Sequence, residues 1–312
     1  MMGRLARGWV EFWFAPASPV DLGAARIALY GGLLLMYGAA DFSAWGSVSR
    51  AFWMPMPLFE TLGLEPLSPG GLSLAHILWR LALASSAIGL QTGLSTAIAF
   101  VLGLYLLGLP HNFGHTFHFD STLVIAMGIL ACSRCGDAWS VDALRRGRQP
   151  APSGDYRWPV RAVWVAMALV FLPAGIAKLR YGGIEWMFSS NMSIVLTRAA
   201  YHVSDADPIG GFGLFVARHE WLSRMVAITT VVVELGFVSA LFWRRARLFF
   251  VPAAFLMIVG IRVMMGPTFG GFLLLNVFWV PWAALAASVT ARLRARRPQP
   301  AAAAATDGTP VA

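Results

Sequence analysis

Apolar residues in this chain neither alternate nor keep to one helical stripe. They run in blocks of about 20, the length needed to cross a hydrocarbon core of about 30 Å. Eight blocks are expected to span: residues 21–40, 72–90, 92–109, 119–133, 159–177, 225–243, 247–265 and 268–289. The fourth is short and is expected to begin inside the His-containing segment before it. The predicted fold class is therefore all-α, a polytopic integral membrane bundle.

The polar positions between the blocks set the orientation. Arginine clusters fall at Arg4 and Arg7; at Arg145, Arg146 and Arg148; at Arg244, Arg245 and Arg247; and at Arg292, Arg294, Arg296 and Arg297. Eight spans place all of them on one side, as the positive-inside rule requires, with both termini cytoplasmic. An odd count would split them. The run Leu22–Ala40 exceeds a signal-peptide core and reads as an uncleaved first span. Two outer segments are long. Residues 41–71, rich in Trp, Pro and Phe with Glu60 and Glu65, are expected along the headgroups. Residues 178–224 carry a helical pattern from Trp186 to Tyr201, then a break at Asp207-Pro208 and Gly210-Gly211. One domain is expected over 1–297, followed by a disordered Ala/Pro-rich tail over 298–312.

Composition agrees: 58% of residues are apolar and 12% charged, against about a quarter charged in an average soluble domain. The mean hydropathy is +0.65. The net charge of +9 does not indicate nucleic acid, since no basic face with interleaved aromatics lies outside the spans. Two cysteines, Cys132 and Cys135, form a lone CxxC. Without a second pair or a βαβ pattern, they read as incidental thiols rather than a zinc or redox site.

Of the 24 Lys and Arg residues, one alone is lysine: Lys178, at the outer end of span five. A desolvated lysine can lose its proton and act as a base, which arginine cannot. From type and position alone, a snorkelling interfacial lysine is an equal reading. His111, His115 and His118 share one helical face in a segment that ends at Asp120. The chain has six histidines, and His76, His202 and His219 are scattered, so no metal centre is expected. Arg80 and Glu234 are costly inside spans unless paired. Both sit about 12–14 Å deep at 1.5 Å per residue, and a buried Arg80–Glu234 ion pair is expected. Arg262 falls at the outer end of span seven, on the side of Lys178.

Two stretches, taken together, resemble the membrane domain of vitamin K-dependent γ-carboxylases and their bacterial relatives, the HTTM (horizontally transferred transmembrane) family. One is Gly136-Asp137-Ala-Trp139-Ser140-Val-Asp142, downstream of His118, close to that family's Trp-Ser-x-Asp signature. The other is Gly175-Ile-Ala-Lys178-Leu179 followed by Trp186, matching Gly-x-x-Lys-Leu and a downstream Trp. A weaker third stretch joins Glu234 to Gly270-Gly271-Phe272. The resemblance implies a quinone-dependent, carboxylase-like membrane enzyme in a bacterial cytoplasmic membrane. Lys178 would be the base that deprotonates a reduced, vitamin K-type quinone, and His118 its partner. His111, His115, Asp120, Trp186 and Arg262 would line the outer pocket, with membrane lipid and a peptide or small molecule as partners. The chain departs from the pattern in having no histidine between Leu256 and Arg262. It also shows no counterpart, after span eight, of the large lumenal region of animal carboxylases. Two other readings suit the same fold. One is a non-enzymatic maturation, immunity or lipid-binding accessory; the other is a transporter with Arg80 and Glu234 on its path.

Overall fold

The computed structural model describes residues 2–114, 120–147, 150–201 and 211–295. Among them the structure is helical, and the β pairing found is one isolated bridge between Ala17 and Ser153. The α-helices are α1 (Met2–Phe14), α2 (Pro19–Tyr37), α3 (Pro57–Thr61), α4 (Pro69–Ile88), α5 (Thr92–Gly108), α6 (Ser121–Ala131), α7 (Val141–Arg146) and α8 (Arg157–Gly182). They continue with α9 (Glu185–Phe188), α10 (Asn191–Ala200), α11 (Gly211–Arg218), α12 (Glu220–Gly236), α13 (Arg244–Met265), α14 (Gly270–Leu275) and α15 (Trp282–Ala295).

Six helical stretches are long and apolar enough to cross a membrane: Pro19–Tyr37, Pro69–Ile88, Thr92–Asn112, Gly154–Gly182, Glu220–Leu241 and Arg244–Met265. The other two expected spans look different. α6 has 11 residues, and the residues just before it, 115–119, lie outside the described set. The last segment is broken: Gly270–Trp279 and Trp282–Leu293 meet at 63°. Pro281 supplies no N–H and pushes the preceding Val280 into an extended conformation, which ends a helix there. The two pieces together follow α2: in the first, Gly270 lies against Met36 and Leu274 against Gly32, and at the start of the second the Ala283 amide is bonded to Asp21 at 2.8 Å.

α2 sits at the centre, with Leu22, Leu29, Tyr30 and Leu33 fully buried against neighbouring helices. At the arginine-rich (inner) end a charge is buried with them. Arg26 has no exposed surface. Its guanidinium donates to the carbonyls of Cys135 (2.9 Å), Trp139 (2.6 Å), Ala87 (3.3 Å) and Ala138 (3.4 Å). Carbonyl oxygens at loop and helix ends are what a cation in an apolar bundle can use when no carboxylate is near. Two of the four, Ala138 and Trp139, belong to the Gly136–Asp142 signature, and Cys135 directly precedes it. Ser140 caps α7 through the Ala143 amide (2.8 Å). Asp142 caps α5, accepting from Gln91 (3.0 Å), the Thr92 amide (2.7 Å) and the Thr92 hydroxyl (2.7 Å). Asp137 takes ion pairs from Arg134 and Arg146, both at 2.9 Å, and a hydrogen bond from Tyr156 at 2.8 Å. Gly89 allows this closeness: its φ is +72°, and a β-carbon there would stand 2.2 Å from the Ser140 β-carbon.

At the opposite (outer) end, the described residues of the second long segment fold with the first turns of α12 into a small cap. Met192, Leu196, Val216 and Ala227 form its own core, with Trp186, Met264 and Met265 packed against it. α11 reaches α13 backbone to backbone, since a β-carbon on Gly213 would lie 2.1 Å from the Met264 carbonyl oxygen.

Burial works against the Asp142 carboxylate, but the hydrogen bonds from Thr92 and Gln91 outweigh it and hold the group below its ordinary value of 3.8. Its stabilising contribution is therefore complete above that value and is lost as pH falls through the depressed folded value. Asp142→Ala is expected to cost about 1–2 kcal/mol at neutral pH. In detergent melting, the gap between wild type and variant should close on strong acidification.

Candidate functional site

The second signature, Gly175-x-x-Lys178-Leu179 with Trp186, lies at the outer end of α8 and is built by small residues that let large ones approach. α8 and α12 run antiparallel, with Arg161 of α8 bonded to the Leu241 carbonyl at the inner end. Near the outer end Gly175 brings them together: a β-carbon there would meet the Leu235 side chain at 2.9 Å and the Glu234 β-carbon at 3.1 Å. Side chains on a helix lean toward its N-terminus. Lys178, one turn further on, therefore reaches back to the level of Gly175, where Glu234 stands.

The result is a two-pronged ion pair. Lys178 Nζ donates to Glu234 Oε1 at 2.7 Å and to Oε2 at 2.8 Å. The side chains are 23% and 8% exposed, respectively, so the carboxylate is inside the protein and the ammonium lies at its edge. Trp186 closes the other side, with its ring centre 5.4 Å from Lys178 Nζ. Gly182 makes room for that ring, since a β-carbon there would lie 2.9 Å from Trp186. Because Trp186 also packs on the outer cap, the cap and the ion pair are mechanically joined.

The expected Arg80–Glu234 pair is not formed. Arg80 is exposed, next to Trp79 on α4, whose buried face (Leu72, His76, Trp79 and Leu83 among others) turns toward the bundle. Counting depth along each helix does not say from which neighbouring helix a cation would come. Arg262 donates to the carbonyl of Gly266 at 2.9 Å, at the C-terminal end of α13. His111 is half-buried in the short turn after α5. His115 and His118 lie outside the described residues, as does His202. Among the described residues no group of three metal-ligating side chains gathers. Burial pushes the Cys135 thiol up, so it is not an activated thiolate.

Asp120, at the end of the His-containing segment, accepts a hydrogen bond from the Tyr37 hydroxyl at 2.5 Å. The two line an outer cavity of about 420 Å³ together with Met36, Thr268, Gly270 and Gly271. Phe171, one turn before Gly175, packs on Phe272 with ring centres 5.7 Å apart. The Asp137, Trp139, Ser140 and Asp142 signature is at the arginine-rich end, where its polar side chains make helix-capping hydrogen bonds and ion pairs. Tyr37 and Arg26 escaped the sequence reading. For Arg26 the signal was present, an arginine inside the first apolar run, where an unpartnered charge is untenable.

A family model described as the HTTM domain matches residues 14–288. No curated protein and no solved structure matches the chain.

Removing the lysine alone leaves a buried carboxylate without a partner. Lys178→Met is expected to destabilise the protein by about 3 kcal/mol. Adding Glu234→Leu should restore most of that loss, and melting curves of the two variants in detergent check it.

Proposed function

The chain belongs to the HTTM domain family, and from that premise we propose a carboxylase-like membrane enzyme whose proton-handling centre is the Lys178–Glu234 pair. The HTTM domain is a membrane domain found in γ-carboxylase-like proteins, and the chain is an integral, multi-pass protein built from apolar helices. The observation that carries the reading is the 2.7 Å hydrogen bond between Lys178 and Glu234 at the point where the family-type Gly-x-x-Lys-Leu occurs. This is an expensive pair to keep within a span if it serves packing alone.

The pair suits proton chemistry better than a lone lysine would. One proton moved along the short Nζ–Oε1 hydrogen bond turns the ion pair into a neutral amine and a carboxylic acid. Lys178 can thereby accept a proton from a substrate hydroxyl while Glu234 stores the displaced one, and no net charge is created in the apolar interior. Trp186 holds the ammonium against the outer cap and offers an aromatic face to a flat ligand. The partial exposure of Lys178 gives access from the bilayer edge, the route by which a lipid-soluble molecule would arrive.

These features fit a reduced quinone: an aromatic flank, a proton acceptor beside it and an apolar approach. When bound, such a hydroquinone supplies two electrons and an acidic hydroxyl. Lys178, as the neutral amine, would receive that hydroxyl's proton, Glu234 would keep the proton it took from Lys178, and Trp186 would orient the ring. The outer cavity with Tyr37 and Asp120 is the place for a second, polar substrate. A bacterial cytoplasmic membrane is the proposed location. For the transporter reading, Glu234 is engaged by Lys178 rather than by Arg80.

Purified protein in nanodiscs, supplied with vitamin K-type hydroquinone, should consume oxygen. Lys178→Arg and Glu234→Gln should each lower that rate at least about 100-fold, the usual weight of a general base. A wild-type rate in Lys178→Arg would remove the base role. No uptake by the wild type would favour the accessory reading.

A further inference from the structure

A second charged site lies at the inner end, far from Lys178, and among the described residues its cations form no ion pair. Arg157 and Arg161, one turn apart on α8, meet Arg247 of α13 around a cavity of about 240 Å³ that also contacts Trp164, Trp279 and Asp21. Each guanidinium is anchored by one hydrogen bond to a main-chain carbonyl: Arg157 to Phe12 (3.2 Å), Arg161 to Leu241 (2.9 Å) and Arg247 to Ala240 (3.2 Å). A guanidinium has five N–H donors, so most remain to be used. Among the described residues none of the three forms an ion pair with a carboxylate. The one carboxylate on the cavity wall, Asp21, accepts from the Ala283 amide at the start of α15.

The arginines are held in place by aromatic rings. Arg161 lies 4.4 Å from the centre of the Trp164 ring and 4.7 Å from that of Phe12. Arg247 lies 4.2 Å from the Trp164 ring and 5.7 Å from that of Trp279. The two indoles are stacked, with centres 4.1 Å apart and planes 4° from parallel. Trp164 is fixed in turn by its hydrogen bond to the Phe278 carbonyl at 2.9 Å. Such stacking positions guanidiniums without neutralising them. Arg161 is only 8% exposed, and a cation that deep calls for an anion.

Arg161 also borders a second space. A groove of about 980 Å³ between α1 and α8 is lined by Leu5, Trp9, Val10, Val165 and Phe242, with Arg4 at its edge. The cationic cavity and the apolar groove thus adjoin at one residue, the arrangement required by a molecule with an anionic head and a hydrocarbon tail. The arginine clusters put this end at the cytoplasmic leaflet, where basic pockets between helices take anionic lipid headgroups. We propose that Arg157, Arg161 and Arg247 bind the phosphate of an anionic phospholipid whose acyl chain lies in the groove under α1.

The test uses the full chain in detergent micelles, with phosphatidylglycerol, phosphatidylcholine or inorganic phosphate added, read by native mass spectrometry and by thermal melting. Phosphatidylglycerol should be retained and raise the melting temperature, while the other two should do neither. Arg157→Gln and Arg247→Gln, at half-buried positions, should each weaken retention about ten-fold. Val165→Trp, which fills the groove and leaves every arginine in place, should also lose the lipid, so the test survives a variant that folds poorly. Equal retention of phosphatidylcholine, or unchanged retention in all three variants, overturns the site. Protection by inorganic phosphate equal to that by the lipid overturns the lipid assignment in favour of a free anion.

Discussion

A charge inside an apolar bundle must find a counterpart, and that constraint organises both ends of this molecule. Glu234 is buried on α12, and the cation that answers it, Lys178, comes from α8. Everything around the pair follows from making that meeting possible. Gly175 removes the β-carbon that would keep the helices apart, and Gly182 clears the space into which Trp186 closes. Trp186 then ties the pair to the cap of α10 and α11. At the inner end Arg26 meets the same constraint with carbonyl oxygens, three of them from the segment Cys135–Trp139.

The two family-like motifs therefore do different work. Trp-Ser-x-Asp is an inner fastening in which Ser140 and Asp142 cap two helices and Asp137 gathers Arg134, Arg146 and Tyr156. Gly-x-x-Lys-Leu forms the outer charge pair. α8 connects them, carrying Tyr156 just before its first residue and Lys178 near its last. A 26-residue helix is about 39 Å long at 1.5 Å per residue, enough to cross a hydrocarbon core of about 30 Å and put the two motifs at opposite ends of the bundle.

Much of this was legible in the sequence. Block length announced the helices, and six of the eight expected spans are long, continuous helical stretches. The break at Pro281 was less visible because apolar residues continue on both sides of it. The amphipathic α1 was hidden by its small size and its position just before the first span. At the site, Lys178, Trp186 and Glu234 were each singled out, but the partner assigned to Glu234 was Arg80. Hydropathy gives the depth of a residue along its helix and says little about which helix faces it. The clue to the facing helix was Gly175, since a missing side chain marks where two backbones approach.

The central claim is that Lys178 and Glu234 share one mobile proton. Infrared difference spectroscopy on the reconstituted protein, with and without hydroquinone, observes the carboxyl group directly. A protonated-carboxyl band that appears on hydroquinone addition and is absent from Glu234→Gln is the predicted result. A carboxylate spectrum that hydroquinone leaves unchanged would mean that the pair is a fixed salt bridge, and the chemistry assigned to it would be wrong.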